Sequence, residues 1–257
     1  MVSIAMAAYN GENFIEESIK AVLSQTYKDL ELLICDDCSN DRTREIMEKW
    51  KEKDRRVKIF YNETNVGIDK SRKKMFSYSK GDYIVILDQD DLIEKNHIEK
   101  MLSKVGDDIS IVFCDFVKID KNGDVISEKI HCTQKELYTK DLVKYNPVPV
   151  IGILLNKKAL EKNGLWTTID EYPHYAEWYN WIELSEIGRL VLCEGIKSKY
   201  RRHDSNLSNA FKTDKENVSK FFHMCQRRAL TSKKLPLKYK IKYFLLLSYR
   251  NLTGTNI

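Results

Sequence analysis

A chain of 257 residues is long enough to bury a proper core, in one domain or two small ones. Its 42% hydrophobic and 32% charged residues are ordinary for a globular protein, and a net charge of +5, with basic and acidic residues interleaved along most of the chain, argues against a nucleic-acid-binding surface. No apolar run approaches the length of a membrane span and no basic region precedes the first apolar stretch, so a cytoplasmic location is expected.

Residues 2–8 read as a buried strand, and Tyr9-Asn10-Gly11 as a turn. A helix follows over 14–24, with Phe14, Ile15, Ile19, Val22 and Leu23 on one face. Residues 30–35 form the next strand, which ends in a cluster of turn and cap residues, Asp36-Asp37-Cys38-Ser39-Asn40-Asp41, before a helix over 43–51. A strand over 57–61 leads through Asn65-Val66-Gly67 into a helix over 68–79, for which Gly81 fits a C-terminal cap.

The fourth strand, residues 84–87, is apolar on both faces, as a strand between two helical layers should be. It runs straight into Asp88-Gln89-Asp90-Asp91. Three carboxylates within four residues repel one another unless a cation neutralises them, and such an oxygen set suits a hard divalent metal that also holds a diphosphate. The alternative is a solvated acidic turn in which Asp90 or Asp91 caps a helix over 93–102. Alternating strands and helices at this spacing imply a doubly wound, mostly parallel sheet, whose ligands bind beyond the carboxyl ends of its strands. Tyr9, Asp37 and Asp88 each follow such an end, so one crevice should collect all three.

Strands over 109–119 and 125–130 flank Lys121-Asn122-Gly123-Asp124, a hairpin signal. Residues 151–155 are another apolar strand, and 159–163 a short helix stopped by Gly164. Residues 166–178 are rich in aromatics and carboxylates without clear periodicity, which fits a surface loop that contacts something. A helix opens at Glu177 and is capped by Gly188. Short strands over 190–193 and 196–200 lead into the polar loop Arg201-Arg202-His203-Asp204-Ser205-Asn206. From 213 onward the chain reads as helical and basic, suited to lie on anionic lipid, to pair with a partner or second copy, or to pack on its own domain with a solvated lysine face.

Of the six cysteines, Cys35, Cys38, Cys114, Cys132, Cys193 and Cys225, several lie in apolar strand-like runs and behave as small hydrophobes. Cys35 and Cys38 have Cys-x-x-Cys spacing but do not open a helix as a redox pair would, and no second pair completes a zinc site. The sequons at Asn62, Asn206 and Asn251 matter only in a secreted protein.

In order along the chain, Tyr9-Asn10, the segment Cys35 to Asp41, Asn65-Val66-Gly67, Lys70-Ser71-Arg72, Leu87-Asp88-Gln89-Asp90-Asp91, Ser185-Glu186-Ile187-Gly188 and Tyr200-Arg201-Arg202-His203 resemble the family 2 glycosyltransferases of the GT-A fold. The resemblance covers about the first two hundred residues and implies a GT-A domain over 1–210, a Rossmann-like mixed, mostly parallel sheet flanked by helices, followed by a helical basic extension over 211–257. It implies an inverting enzyme that moves a sugar from a UDP-sugar to an acceptor hydroxyl of a glycan, lipid-linked or glycoprotein substrate, with Mn²⁺ or Mg²⁺ on the diphosphate. On this reading Tyr9 lines the nucleobase pocket and Asp37 accepts from the base. Asn65, Arg72 and Gln89 border the nucleotide, Asp88 approaches the ribose or metal, and Asp90 is the principal metal ligand. His203 either reaches the metal or diphosphate or is a solvated loop residue, and Arg201 and Arg202 would close on the diphosphate as a lid. Trp166, Tyr172, Tyr175 and Trp178 either stack on an acceptor sugar or fill a core.

The departure is at the base. Where relatives carry a Glu-Asp pair, Ala176 and Glu177 stand here, so Glu177 or another carboxylate, Asp170 or Glu171, would take the acceptor's proton. Two rival functions are a catalytically silent sugar-nucleotide-binding scaffold subunit and a nucleotidyltransferase. The latter would want a glycine-rich phosphate loop with a lysine after the first strand, and Ala7-Ala8-Tyr9-Asn10-Gly11 offers none.

Overall fold

The computed structural model describes residues 1–128, 132–172, 176–209 and 215–253. Four strands, β1 (Val2–Ala8), β2 (Leu30–Asp36), β3 (Val57–Tyr61) and β4 (Tyr83–Ile86), alternate with α1 (Ile15–Leu23), α2 (Thr43–Lys53) and α3 (Ile68–Tyr78). All four strands run parallel, in the order β3-β2-β1-β4. Side chains alternate across β1: Ile4 and Met6 face a layer containing Ile15, Ile19 and Met47, while Ala5 faces one containing Met75, Phe76 and Trp166. The sheet is therefore covered on both faces, and its apolar strands satisfy both layers at once.

Beyond β4 come α4 (His97–Leu102), β5 (Ile109–Ile119), β6 (Val125–Ser127), β7 (Glu136–Leu137), α5 (Thr139–Leu142), β8 (Ile153–Asn156), α6 (Lys157–Lys162), α7 (Ala176–Ser185) and β9 (Arg189–Arg201). The sheet continues β4-β8-β5-β9-β7, with β6 on β5 as the expected hairpin and Gly123 at φ +96° in its turn. Ile130 lies outside the described residues. β8 is antiparallel to both β4 and β5, whereas β5 and β9 are parallel to each other. The sheet is thus mixed, and the half that carries Tyr9, Asp37 and Asp88 is parallel throughout.

Several local expectations change. Gly81 is not a helix cap: α3 ends at Ser79 in extended backbone, and a side chain at 81 would put its Cβ 2.5 Å from the Ser3 nitrogen, so glycine there permits close approach to β1. α4 begins after Asn96, not after the acidic cluster, which leaves Asp90 and Asp91 free of any capping role. The two strands expected over 190–200 are one. Leu192 pairs with Phe113 and Lys197 with Asp115, so the extra residues around Gly195, at φ +79°, bulge out without ending the strand.

The aromatic stretch is core. Trp166 is fully buried, edge-on to Phe76 and Trp181 at 5.5 Å each, and its Nε1 donates to Asp69 at 2.8 Å. Trp178 is buried against Phe222 and donates to the Leu142 carbonyl, and Tyr172 meets Phe221, so none of the three is set out to stack on a sugar. Tyr175 lies outside the described residues.

Two C-terminal helices, α8 (Lys215–Thr231) and α9 (Leu237–Thr253), pack on this core. Arg228 of α8 binds Glu183 and Glu186 at 2.9 Å each, and Tyr243 of α9 is buried. No helix among the described residues is long and apolar enough to cross a membrane.

Candidate active site

A cleft of about 600 Å³ opens at the carboxyl ends of β1, β2 and β4. Its walls include Tyr9, Asp37, Asn65, Arg72, Asp88, Gln89, Asp90, Glu177 and His203, which brings these nine residues to one place. Asp170 and Glu171 stay outside: Asp170 is 79% exposed and paired with Lys70, and Glu171 is exposed.

The floor is built by loops pinned to one another. Asp37 is buried and accepts from the backbone N–H groups of Val66 and Gly67 and from Asn62 Nδ2, at 2.8–2.9 Å, so the Asn65-Val66-Gly67 turn is wound around its carboxylate. Three bonds occupy three of the roughly four acceptor positions of a carboxylate, which leaves one for a ligand. Gly67, at φ +90°, lets the chain enter α3 at this angle. Asn62 is consumed here, which removes it as a glycosylation acceptor.

Gln89 closes the β1–α1 loop over β4. Its side-chain oxygen accepts from Tyr9 N at 3.0 Å and its Nε2 donates to Tyr9 O at 2.8 Å, so its amide serves the loop. Gly11 permits this approach, since a Cβ there would lie 2.0 Å from Gln89 Oε1. The Tyr9 ring, anchored through its backbone, remains 43% exposed at the cleft.

At the centre Arg72 is completely buried. One arm donates to Glu177 Oε1 and the other to Asp88 Oδ1, both at 2.8 Å, and Asp69 lies 3.9 Å away. Burial opposes its charge, but Asp88, Glu177 and Asp69 outweigh burial and hold the guanidinium above its ordinary value. Burial and the Glu177 charge push Asp69 up to about 7, and burial raises Asp88 against the pull of Arg72. Arg72 thus grips two carboxylates at the cleft wall through both terminal nitrogens, while its Nε is buried without a partner.

On the other side Asp90 Oδ2 is 2.8 Å from His203 Nε2 and accepts from Asn206 Nδ2 at 3.2 Å, while the Phe14 ring stacks on His203 at 4.6 Å. Phe14, read from periodicity as part of the apolar face of α1, precedes that helix and fixes the imidazole. Asn206 read from the sequence as part of a polar loop and as a sequon, with no role at this site. Arg201 is not a lid: it is buried, donates to the carbonyls of Asp90 and Lys121, and pairs with Glu17 at 2.6 Å. Arg202 is held by Ser208 and Asn209. Arg201 N also donates to Asp91 Oδ1, and burial with the charges of Asp90 and Asp88 raises Asp91 well above the usual carboxylate range. Asp91 is therefore a buried brace, with Asp88 and Asp90 left at the surface of the cleft.

Among the described residues no three His, Cys, Asp or Glu side chains converge tightly enough to cage a metal unaided. The donors nevertheless fit one. A lining with Asp37, Asp88, Asp90 and Glu177, and a single arginine already committed, repels a diphosphate unless a divalent cation intervenes. Magnesium-type ions are commonly held by one or two carboxylates plus the substrate's own phosphates. Asp90 and His203, with Asp88 beside them, supply such a partial set. The cysteines take no part: all six are free thiols, and burial pushes Cys35 up to about 11.

The model of the family described as "Glycosyl transferase family 2" matches residues 3–164. The Escherichia coli UDP-Glc:alpha-D-GlcNAc-diphosphoundecaprenol beta-1,3-glucosyltransferase WfgD is 33% identical over 217 residues, 82% of this chain and 81% of the relative. An uncharacterized glycosyltransferase of Haemophilus influenzae is 26% identical over 86% of this chain and 71% of its own length. Among solved structures, S. aureus TarS 1-349 in complex with UDP-GlcNAc superposes with a TM-score of 0.75 at 17% identity, over 99% of this chain and 74% of that one. With a family match across more than half its length and a cleft at the expected strand ends, the chain belongs to glycosyl transferase family 2 and is a glycosyltransferase of the GT-A fold.

Proposed function

We propose that this enzyme transfers a sugar from a UDP-sugar to a hydroxyl of a lipid-linked glycan acceptor in bacterial polysaccharide assembly, in one displacement that inverts the anomeric centre. The observation that carries the reading is Arg72 bridging Glu177 and Asp88, which sets a candidate base at a fixed position from the carboxylates of the diphosphate end. Glu177 Oε1 is held by Arg72, and its other oxygen is available to take the acceptor's proton. As that proton moves to Glu177, the acceptor oxygen bonds to the anomeric carbon from one face. The bond to the β-phosphate oxygen breaks on the other face, and UDP leaves with the electron pair. A glutamate in place of aspartate keeps a carboxylate at the site, which favours an active enzyme over a silent scaffold.

Asp90, His203 and Asp88 would hold Mn²⁺ or Mg²⁺, which when bound supplies Lewis-acid stabilisation of the departing diphosphate, a contribution of several kcal/mol. Tyr9 offers a face to the base, and Asp37 keeps one acceptor position for it. The UDP donor and the lipid-linked acceptor rest on what the relatives are named for: TarS is described with UDP-GlcNAc, and WfgD acts from UDP-Glc on a diphosphoundecaprenol-linked sugar.

The test is release of nucleoside diphosphate from a panel of UDP- and GDP-sugars, with lipid-linked and free acceptors, in Mn²⁺, Mg²⁺ or EDTA. Metal-dependent, acceptor-dependent release from a UDP-sugar, with inverted product linkage by NMR, is expected. Preference for a GDP-sugar, full activity in EDTA or a retained linkage would each overturn the corresponding part.

A further inference from the structure

Beyond Glu216 the sequence holds nine lysines and arginines and no acid, so the preceding 216 residues, with 34 basic and 38 acidic side chains, are net negative. The positive charge of the whole protein is therefore a property of α8, α9 and the link between them. α9 lies against the core through Tyr239 and Tyr243 and turns another apolar stripe outward: Leu237 is 70% exposed, Ile241 53%, Phe244 65% and Leu245 61%. At about 100° per residue, these four fall within an arc of about 100°. Lys238 and Lys242 flank one edge of the stripe, beside the rings of Tyr239 and Tyr243, and Lys240 flanks the other. Lys233 and Lys234 stand exposed just before the helix, and among the described residues none of these five lysines is ion-paired with a carboxylate.

We infer that this face of α9 is a docking surface for an anionic lipid bilayer, on which the helix lies in the plane of the interface. An apolar stripe of leucine, isoleucine and phenylalanine edged by lysines suits the boundary between acyl chains and headgroups, with the lysine stems lying along the apolar side while their charges reach the lipid phosphates. A second copy of the chain fits less well. A two-fold contact sets each patch against itself, and the lysine edges would then meet lysine edges. The surface lies on a C-terminal helix outside the residues of the cleft, and its occupancy does not depend on which sugar the cleft transfers.

Binding of the full chain to vesicles, without nucleotide or acceptor, tests this. Phosphatidylglycerol/phosphatidylcholine vesicles are expected to co-sediment the protein at low salt, and phosphatidylcholine vesicles far less. Each exposed lysine should contribute about fivefold to the partition coefficient, so Lys233→Gln with Lys234→Gln, Lys238→Gln and Lys242→Gln should lower it by about 600-fold. Phe244→Ser with Leu245→Ser should lower it at least about tenfold at unchanged charge. Both sets lie on the surface, and an unchanged melting temperature and unchanged UDP binding would verify the fold. Equal binding to neutral vesicles, indifference to either set of substitutions, or no vesicle binding beside a dimer that Phe244→Ser with Leu245→Ser dissociates would overturn the proposal.

Discussion

Arg72 of α3 and Glu177 of α7 meet at 2.8 Å, although 105 residues separate them in the chain. The same guanidinium holds Asp88 at the same distance, so groups from three elements share one buried cation. A salt bridge in this position does more than neutralise charge. It fixes which oxygen of Glu177 faces the cleft, and it couples the position of that oxygen to the end of β4.

Glu177→Gln keeps the bond to Arg72 through its amide oxygen but cannot accept a proton. Turnover should fall by about 10²–10⁴-fold while UDP binding changes little. Glu177→Asp retains the acid but withdraws it by about 1 Å, and a loss on the order of 10² is expected. Steady-state rates beside calorimetric UDP titrations separate the two effects. A strong loss of UDP binding in Glu177→Gln would contradict the assignment.

Arg72→Met should be among the most damaging substitutions in the molecule. It strands Asp69, Asp88 and Glu177 near one another, and removal of one partner from a buried ion pair typically costs about 3–5 kcal/mol. Arg72→Lys should recover only part of this, because a single ammonium cannot donate to Glu177 and Asp88 in fork geometry. Chemical denaturation of the purified variants measures both values.

Gly11→Ala should act on the donor rather than on stability. The added methyl group collides with the end of the flexible Gln89 side chain, which can swing away, so the fold survives while the two bonds from Gln89 to the Tyr9 backbone are lost. The expected result is a melting temperature close to that of the unmodified protein, a raised KM for the donor and a smaller change in kcat. Gln89→Ala should reproduce it.

His97 gives a pH dependence with a definite sign. It is fully buried, its Nε2 lies 2.7 Å from the Gly152 carbonyl, and burial lowers its pKa to about 4 from 6.5. The folded chain thus refuses a proton that the unfolded chain accepts. This contribution is complete above about pH 6.5 and is lost as pH falls toward about 4, by up to about 3 kcal/mol. Asp69, raised to about 7, contributes in the opposite sense, since its stabilisation fades as pH rises from about 4 to 7. The measurement is therefore the difference between the unmodified protein and His97→Gln, whose amide can still donate to Gly152. The variant should lose less stability on acidification, and parallel curves would refute the buried neutral imidazole.

The parallel half of the sheet was legible because its strands are apolar on both faces and are followed by turn-forming residues: Tyr9-Asn10-Gly11, Asp37-Cys38-Ser39 and Asp88-Gln89. Strand-end position alone was enough to gather Tyr9, Asp37 and Asp88. Other features depended on contacts that periodicity does not encode. Gly81 looks like a cap in one dimension, and its real neighbour, Ser3, is 78 residues away. Glu194-Gly195 reads as a break because a bulge and a loop share their residues, and only the continuing pairing with β5 distinguishes them. Arg201 read as a lid and Asp91 as one of an acidic cluster, whereas both are buried: Asp91 accepts from the Arg201 backbone N–H, and the Arg201 guanidinium donates to the Asp90 carbonyl and pairs with Glu17. Trp166, Tyr172 and Trp178 lacked periodicity because they fill the gap where α3, α7 and α8 meet, a junction with no single repeat.

The reversed direction of β8 bears on how such an enzyme changes its diet. Because this strand runs against β4 and β5, its beginning, not its end, lies beside the carboxyl ends of the parallel strands, and Pro149, Val150 and Ile151 line the cleft just before it. The segment arrives from outside the sheet and joins it at Gly152, whose N–H binds the Ile86 carbonyl, next to Ile151, whose carbonyl accepts from Ser198 Oγ. Upstream of Gly152, substitutions and length changes can reshape this wall of the cleft without breaking a rung of the ladder, so on the proposed function the choice of sugar can change while the parallel half of the sheet stays as it is.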